Sequence, residues 1–124
     1  MAYEQQVLDL PLKGGGAITK YYFTKVSAAD EVEVCSGATD RVLGVCQETV
    51  AADGDSADIR VLGVTKVVAG AAVAAGALVG TDANGKAVTK STAGDFVAGT
   101  ALEAAGADGD IISVLLTPNC VLHA

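Results

Sequence analysis

Residues 96–116 read FVAGTALEAAGADGDIISVLL, and residues 41–62 read RVLGVCQETVAADGDSADIRVL. Laid side by side from the first residue, Val42 meets Val97, Gly44 meets Gly99, Glu48 meets Glu103, and Ala52-Asp53-Gly54-Asp55 meets Ala107-Asp108-Gly109-Asp110. A two-residue deletion after the turn is expected to bring Ile59, Val61 and Leu62 opposite Ile112, Val114 and Leu115. The chain reads as one structural unit written twice. In each copy successive residues alternate in character on both sides of the turn, as in Val42-Leu43-Gly44-Val45-Cys46-Gln47 and Ile59-Arg60-Val61-Leu62. That is the period of two of a strand, whose side chains point to opposite faces in turn. Asp-Gly lies between the two runs, and glycine accepts the positive φ of a tight reversal. Each copy is therefore expected to be a β-hairpin with a rather long loop. The segment TALEAAGA (100–107) carries good helix formers and could form a short helix instead, limited by Gly106.

A chain of 124 residues fits one domain and can bury a core without disulfides. With no Trp, three Tyr, two Phe and 15 Gly, that core must be built from small side chains. Apolar burial stabilises by roughly 25 cal/mol per Å². A single copy should be only modestly stable, and association with other chains is expected to complete it. Fifteen acidic residues against eight basic ones give a net charge of −7 and leave no clustered basic surface for phosphates, which argues against nucleic acid as a partner. The three cysteines, Cys35, Cys46 and Cys120, have no CxxC spacing and read as free thiols of a protein made in a reducing cytoplasm. MAYEQQVLDLPLK lacks the basic start and apolar run of a secretory signal. The longest uncharged stretch, between Lys66 and Asp82, is too short to cross a membrane.

The first sixteen residues differ in kind. Pro11 and Gly14-Gly15-Gly16 interrupt regular structure, so residues 1–16 read as an extended arm ending in a flexible joint. Residues 17–124 read as a single β domain with pseudo-repeats at about 26–63 and 64–116 and a first strand around Ile18 to Val26. The expected fold is mainly β, a small barrel or sandwich-like body of two similar halves with an extended N-terminal arm. Tyr3, Val7, Leu8, Leu10 and Leu12 have no partner in their own segment, and such apolar and aromatic anchors are enriched at protein interfaces. Tyr3, Leu8, Leu10, Pro11 and Leu12 are candidate interface residues, with Tyr21, Tyr22 and Phe23 at the joint. Val32 and Val34 alternate with Glu31 and Glu33 in a half-exposed strand. Ala28-Ala29 and Val32 are matched to Ala74-Ala75 and Leu78, which makes the second copy the longer one. Its extra piece carries Asn84-Gly85, a type I′ turn signal, and is expected to project as a hairpin. Val64 to Val79 is expected to be strand, turn, strand, because its valines are β-branched and Gly70 and Gly76 interrupt it.

Residues that could carry chemistry are few. Asp53-Gly54-Asp55-Ser56-Ala57-Asp58 has alternating carboxylates, but its sixth position is Asp58 where a calcium loop needs glycine, so it reads as a solvated turn. The only histidine, His123, stands near the chain end with Cys120 three residues before it, which supplies neither a triad nor a metal set. GxGxxG and a phosphate-loop Lys-Ser/Thr are absent. No enzyme activity, metal or cofactor is expected. One alternative is a lipoyl- or biotinyl-carrier-like domain with Lys86 as the modified lysine, though its flanks are Gly85 and Ala87. Another is a structural or adhesive surface module.

Gly44 to Glu48 and Gly99 to Glu103, each leading through an Ala/Gly/Asp turn to an apolar strand, together with Ala74-Ala75-Gly76-Ala77-Leu78-Val79, are the residues of a resemblance. The chain resembles the capsid cement, or head decoration, proteins of tailed bacteriophages over about residues 17–116. The resemblance implies a mainly β trimer on the outside of an icosahedral head, made in the host bacterial cytoplasm. Its partners would be the major capsid protein and other copies of itself, and its work the clamping of neighbouring subunits. Asp30, where the second copy is taken to have Gly76, departs from the pattern.

Overall fold

The structure, a computed structural model, describes residues 2–121, with side chains through residue 117. These residues form nine strands and no helix: β1 (Gln5–Gly14), β2 (Phe23–Ala28), β3 (Glu31–Val34), β4 (Gly44–Cys46), β5 (Ser56–Val68), β6 (Leu78–Thr81), β7 (Ala87–Thr89), β8 (Phe96–Ala101) and β9 (Ile111–Val121). They make one sheet in the order β1-β3-β2-β4-β5-β9-β8-β6-β7, and β1 also pairs with β5. The first five strands thus close into a ring. The remainder, β5-β9-β8-β6-β7, curls the same way and returns to the end of β5 through the parallel bridge Ala69↔Ala87. The result is a mainly β, barrel-like body of two similar halves that share β5.

The halves correspond at a constant spacing of 55 residues, visible in backbone bonds rather than in side chains. Gly14 N–H donates to Asp55 O and Gly54 N–H to Gly14 O; 55 residues on, Ala69 N–H donates to Asp110 O and Gly109 N–H to Ala69 O. The bridge Ile18↔Val50 recurs as Val73↔Ala105. Left-handed φ recurs at Asp30 (57°) and Gly85 (82°), and at Gly54 (90°) and Gly109 (95°). The same spacing holds beyond the turn, since Cys46↔Ile59 recurs as Ala101↔Val114. The expected two-residue deletion is therefore not there: Ile59 corresponds to Val114, not Ile112. Asp30 corresponds to Gly85, not Gly76, and the second copy is no longer than the first.

In this register β1 is the counterpart of the second half of β5. The expectation of an arm ending in a flexible joint does not describe residues 5–14. They are extended, but they lie antiparallel to β5 from Gln5↔Val64 to Lys13↔Ser56, and Lys13 and Gly14 also pair with β3. Gly14 and Gly15 are close approaches rather than a joint. A Cβ at Gly14 would stand 2.6 Å from Val50 Cγ1, and one at Gly15 2.6 Å from Glu31 Oε1. Pro11 pairs with Asp58, whose carbonyl accepts from Gln47 N–H on the other side of β5. That pair is non-hydrogen-bonded, so the missing N–H of Pro11 faces away from the ladder and breaks nothing.

Each half is filled by equivalent side chains. Ile18, Val32, Cys46, Val50, Ala57 and Ile59, with Leu12 packed against them, make one cluster. Their counterparts Val73, Ala87, Ala101, Ala105, Ile112 and Val114 belong to the other. The exchange of Ala57 for Ile112 offsets only part of what the smaller alanines at 87, 101 and 105 give up, each buried methylene contributing about 0.8 kcal/mol. Phe23 is fully buried and belongs to the larger cluster.

Local expectations at the first strand and at the β6–β7 hairpin are corrected. The first strand after the glycines begins at Phe23, not Ile18, which makes only a single bridge. Residues 102–110 form the bends and turns of the expected hairpin loop, around the Val73↔Ala105 bridge, and the alternative helix is not there. The β6–β7 connection is not a type I′ turn. Only Gly85 there has positive φ, and the Asp82 carboxylate caps the loop by accepting from Asn84 N–H (2.8 Å) and Lys86 N–H (2.9 Å). Nor does this hairpin project, since Gly85 O accepts from Phe23 N–H at 2.7 Å and the loop is docked on β2.

Candidate functional site

β1 is held to β5 by more than its ladder. Arg60 is buried on β5, and its guanidinium meets Asp9 of β1 in a fork, Nε to Oδ1 at 2.9 Å and Nη2 to Oδ2 at 3.3 Å. Its Nη1 donates to Glu4 Oε2 and to Val64 O, both at 3.1 Å. Burial alone would lower the Arg60 pKa, but the Asp9 hydrogen bonds and the charges of Asp9 and Glu4 outweigh it and raise it. Lys66 Nζ lies 3.7 Å from Glu4 Oε1. Tyr21, whose φ is 69°, turns its ring toward this cluster, with the Lys20 and Lys66 ammonium groups 5.1 and 5.9 Å from its centroid. Beyond β1, Tyr3 is fixed on β9, its N–H donating to Ser113 Oγ (2.6 Å) and its carbonyl accepting from that hydroxyl (3.0 Å).

This scaffold displays apolar side chains to solvent. Tyr3 is 52% and Val7 66% exposed, and Leu8, Leu62 and Leu115 are exposed with them. Leu8 stands directly opposite Leu62, and Leu115 opposite Val64, which in turn faces Gln5. A register shift between Gln6 and Leu8 makes room for Val7, whose Cγ2 lies 3.3 Å from where a Gly63 Cβ would be. Gly63, at φ 107°, admits no such Cβ, because it would fall on Gln5 O. Four apolar residues from three strands, with Tyr3 just before β1, therefore make up an exposed set around one bulge.

The expected interface residues divide accordingly. Tyr3, Leu8 and Pro11 are exposed; Leu10, Leu12, Tyr21 and Tyr22 are half-buried; Phe23 is core and presents no surface. Leu62 and Leu115 were not among the expected residues. Their signal was available only with the strand pairing, because each looks like an ordinary member of an alternating run.

Other groups are occupied within the fold. Lys86 Nζ is 3.0 Å from Asp108 Oδ1, and that hydrogen bond, with the charges around it, raises its pKa. A carrier lysine must stand free at a hairpin tip, whereas this one is tied back. Burial pushes the Cys35 thiol up to about 12, and burial also raises the pKa of Cys46, whose Sγ–H donates to Glu48 O at 2.8 Å. Among the described residues no group of three His, Cys, Asp or Glu converges on a point that could hold a metal, and no helix is long and apolar enough to cross a membrane. His123 lies outside the described residues. A cleft of ≈ 290 Å³ lies between Lys25-Val26 and Arg41-Val42-Leu43. In the second half the counterpart of Lys25 is Gly80, where a Cβ would fall on Phe96 O.

The family model of phage cement proteins matches residues 2–116. Among solved structures, the chain is similar to the head fiber gp8.5 N base of bacteriophage phi29. The identity is 20% and the TM-score 0.71, over 94% of this chain and 98% of that one. At that identity the likeness shows a shared fold. No curated protein matches the chain.

Proposed function

The chain belongs to the phage cement protein family and is a structural protein of a phage capsid, and we propose that it binds the outer surface of the head and clamps neighbouring major capsid subunits. The observation that carries this reading is the exposed set of Tyr3, Val7, Leu8, Leu62 and Leu115 on a frame tied down by Arg60. Isolated exposed apolar residues are ordinary, but a contiguous group on a rigid surface marks a protein contact. Pro11 is exposed on the same strand as Val7 and Leu8.

The net charge of −7 suits an outer coat, which must stay soluble and indifferent to the nucleic acid inside. The chain assembles with two other copies, and the trimer bridges several shell subunits. Each contact can then be weak, since linked contacts raise the effective affinity by about 10²- to 10⁴-fold. The protein is made in the host cytoplasm and ends on the virion.

The test is to add the purified protein to expanded heads that lack it, sediment them, and heat them until DNA is released. Heads that carry the protein should release DNA at a higher temperature. Absence from the pellet, or binding without a change in release temperature, would contradict the clamping role.

A further inference from the structure

The pairings of β1 leave one of its edges open. On one side it follows β5 from Gln5 to Lys13; on the other it meets β3 only at Lys13 and Gly14. The direction of the open groups follows from the register. Asp58 O accepts from Gln47 N–H, so the even-numbered residues of this part of β5 turn their backbone groups away from β1. Asp9, opposite Arg60, and Pro11, opposite Asp58, therefore turn theirs outward. The Asp9 N–H and the carbonyls of Asp9 and Pro11 thus face away from β5, and among the described residues no turn, loop or cap supplies them a backbone partner.

The second half shows what becomes of the same positions when the edge is covered. Val64, Lys66 and Val68 stand 55 residues after Asp9, Pro11 and Lys13. Val64 O accepts from Arg60 Nη1 (3.1 Å), Lys66 O from Thr65 Oγ1 (2.9 Å), and Val68 N–H donates to Tyr21 O (3.0 Å). In the first half only Lys13 is satisfied, by Asp30 O at 3.0 Å.

We infer that the open edge of β1, around Asp9, takes up an extended, net-basic segment of a shell subunit as an added strand, end to end with β3. This rests on the capsid-docking reading and names how the docking is made. Unpaired N–H and C=O groups in a row specify an extended backbone as their occupant. The exposed Val7 and Leu8 supply apolar contact beside that edge. The charge of the chain, −7, selects a basic segment over an acidic one. Pro11 sets the limit of the added strand, because it offers a carbonyl and no donor.

The direct test is hydrogen exchange of the whole protein, free and bound to expanded heads. The Asp9 amide should exchange quickly when free and at least about tenfold more slowly when bound. Asp9→Ala and Asp9→Pro supply the control: both lose the Arg60 fork, but only the proline loses the outward N–H. Asp9→Pro should bind heads about tenfold more weakly than Asp9→Ala, the loss expected for one hydrogen bond. Affinity should also fall as salt is raised. Binding with an unprotected Asp9 amide, or equal affinities for the two variants, would overturn strand addition while leaving docking in place. Salt-independent binding would overturn the basic partner, and failure of the unaltered protein to bind heads would overturn the docking reading itself.

Discussion

Removing the Arg60 side chain is the perturbation that most clearly separates a built-in strand from a loose arm. In Arg60→Ala, β1 loses the two hydrogen bonds of the Asp9 fork, and the bond to Glu4 just before β1 and the bond to Val64 O within β5 go with them. Hydrogen bonds to charged groups each contribute about 1.5–3 kcal/mol, and breaking a buried pair from one side costs about 3–5 kcal/mol. The partners here are not sealed off. The Asp9 side chain is 16% and that of Glu4 32% exposed, so water recovers part of the loss. A destabilisation of about 2–3 kcal/mol is expected, read as a lower urea midpoint at constant m-value. The cycle with Asp9→Ala gives the coupling alone, about 1–3 kcal/mol. The double variant should be more stable than the sum of the single losses implies, because no carboxylate is then left behind at position 9. Additive effects, or a loss below about 0.5 kcal/mol, would refute the claim that this network holds β1 in the sheet.

Other consequences follow from equally local geometry. Gly44→Ala and Gly99→Ala each drive a methyl group onto a backbone carbonyl, of Arg60 and of Leu115 respectively. Both should cost at least about 1–3 kcal/mol by urea denaturation, whereas Gly16→Ala, which meets nothing within 4 Å, should be neutral or slightly stabilising. The Asp40 pKa is lowered, first by its hydrogen bond from Lys25, at 2.9 Å. Its contribution to stability is therefore complete above the unfolded carboxylate pKa of about 3.9 and lost as pH falls through the lower folded value. Asp40→Asn should flatten the acid limb of the stability profile below about pH 4 and leave its slope at neutral pH unchanged. Cys35, with its thiol pushed up to about 12, should resist alkylation at pH 8 in the native protein and react on unfolding, as followed by peptide mass spectrometry.

The hairpins and the doubling of the chain were legible in residues 41–62 and 96–116, because Val42/Val97, Gly44/Gly99, Glu48/Glu103 and the Ala-Asp-Gly-Asp turn carry identity and the runs on either side of the turn carry periodicity. The register beyond the turn was not. A shift of two residues keeps every side chain on its own face, so alternation alone matches Ile59 to Ile112 as well as it matches Ile59 to Val114. The strand pairing distinguishes them, since Cys46 stands opposite Ile59 as Ala101 stands opposite Val114.

The role of β1 was hidden for a related reason. Its counterpart in the second half shares its backbone pairing but not its residues, and its partner on β5 lies some fifty positions away in sequence. Pro11 and the glycine triplet look like breaks until the ladder shows that the proline faces outward and that Gly14 and Gly15 admit Val50 and Glu31. The candidate site was half legible. Tyr3 and Leu8 stood out as unpartnered, whereas Leu62 and Leu115 become surface neighbours only through pairing, and Phe23 could not be told from an anchor until its burial was known.

Because β1 closes a ring, deleting residues 2–13 would open the fold as well as remove the contact, and surface substitutions are the cleaner probe. The decisive measurement is the affinity for expanded heads of Leu8→Glu/Leu62→Glu, two exposed and directly opposed positions, with the urea midpoint recorded on the same sample. A fall in affinity of at least about a hundredfold with the midpoint nearly unchanged is expected if this face grips the shell. Unaltered binding by the folded double variant would contradict it.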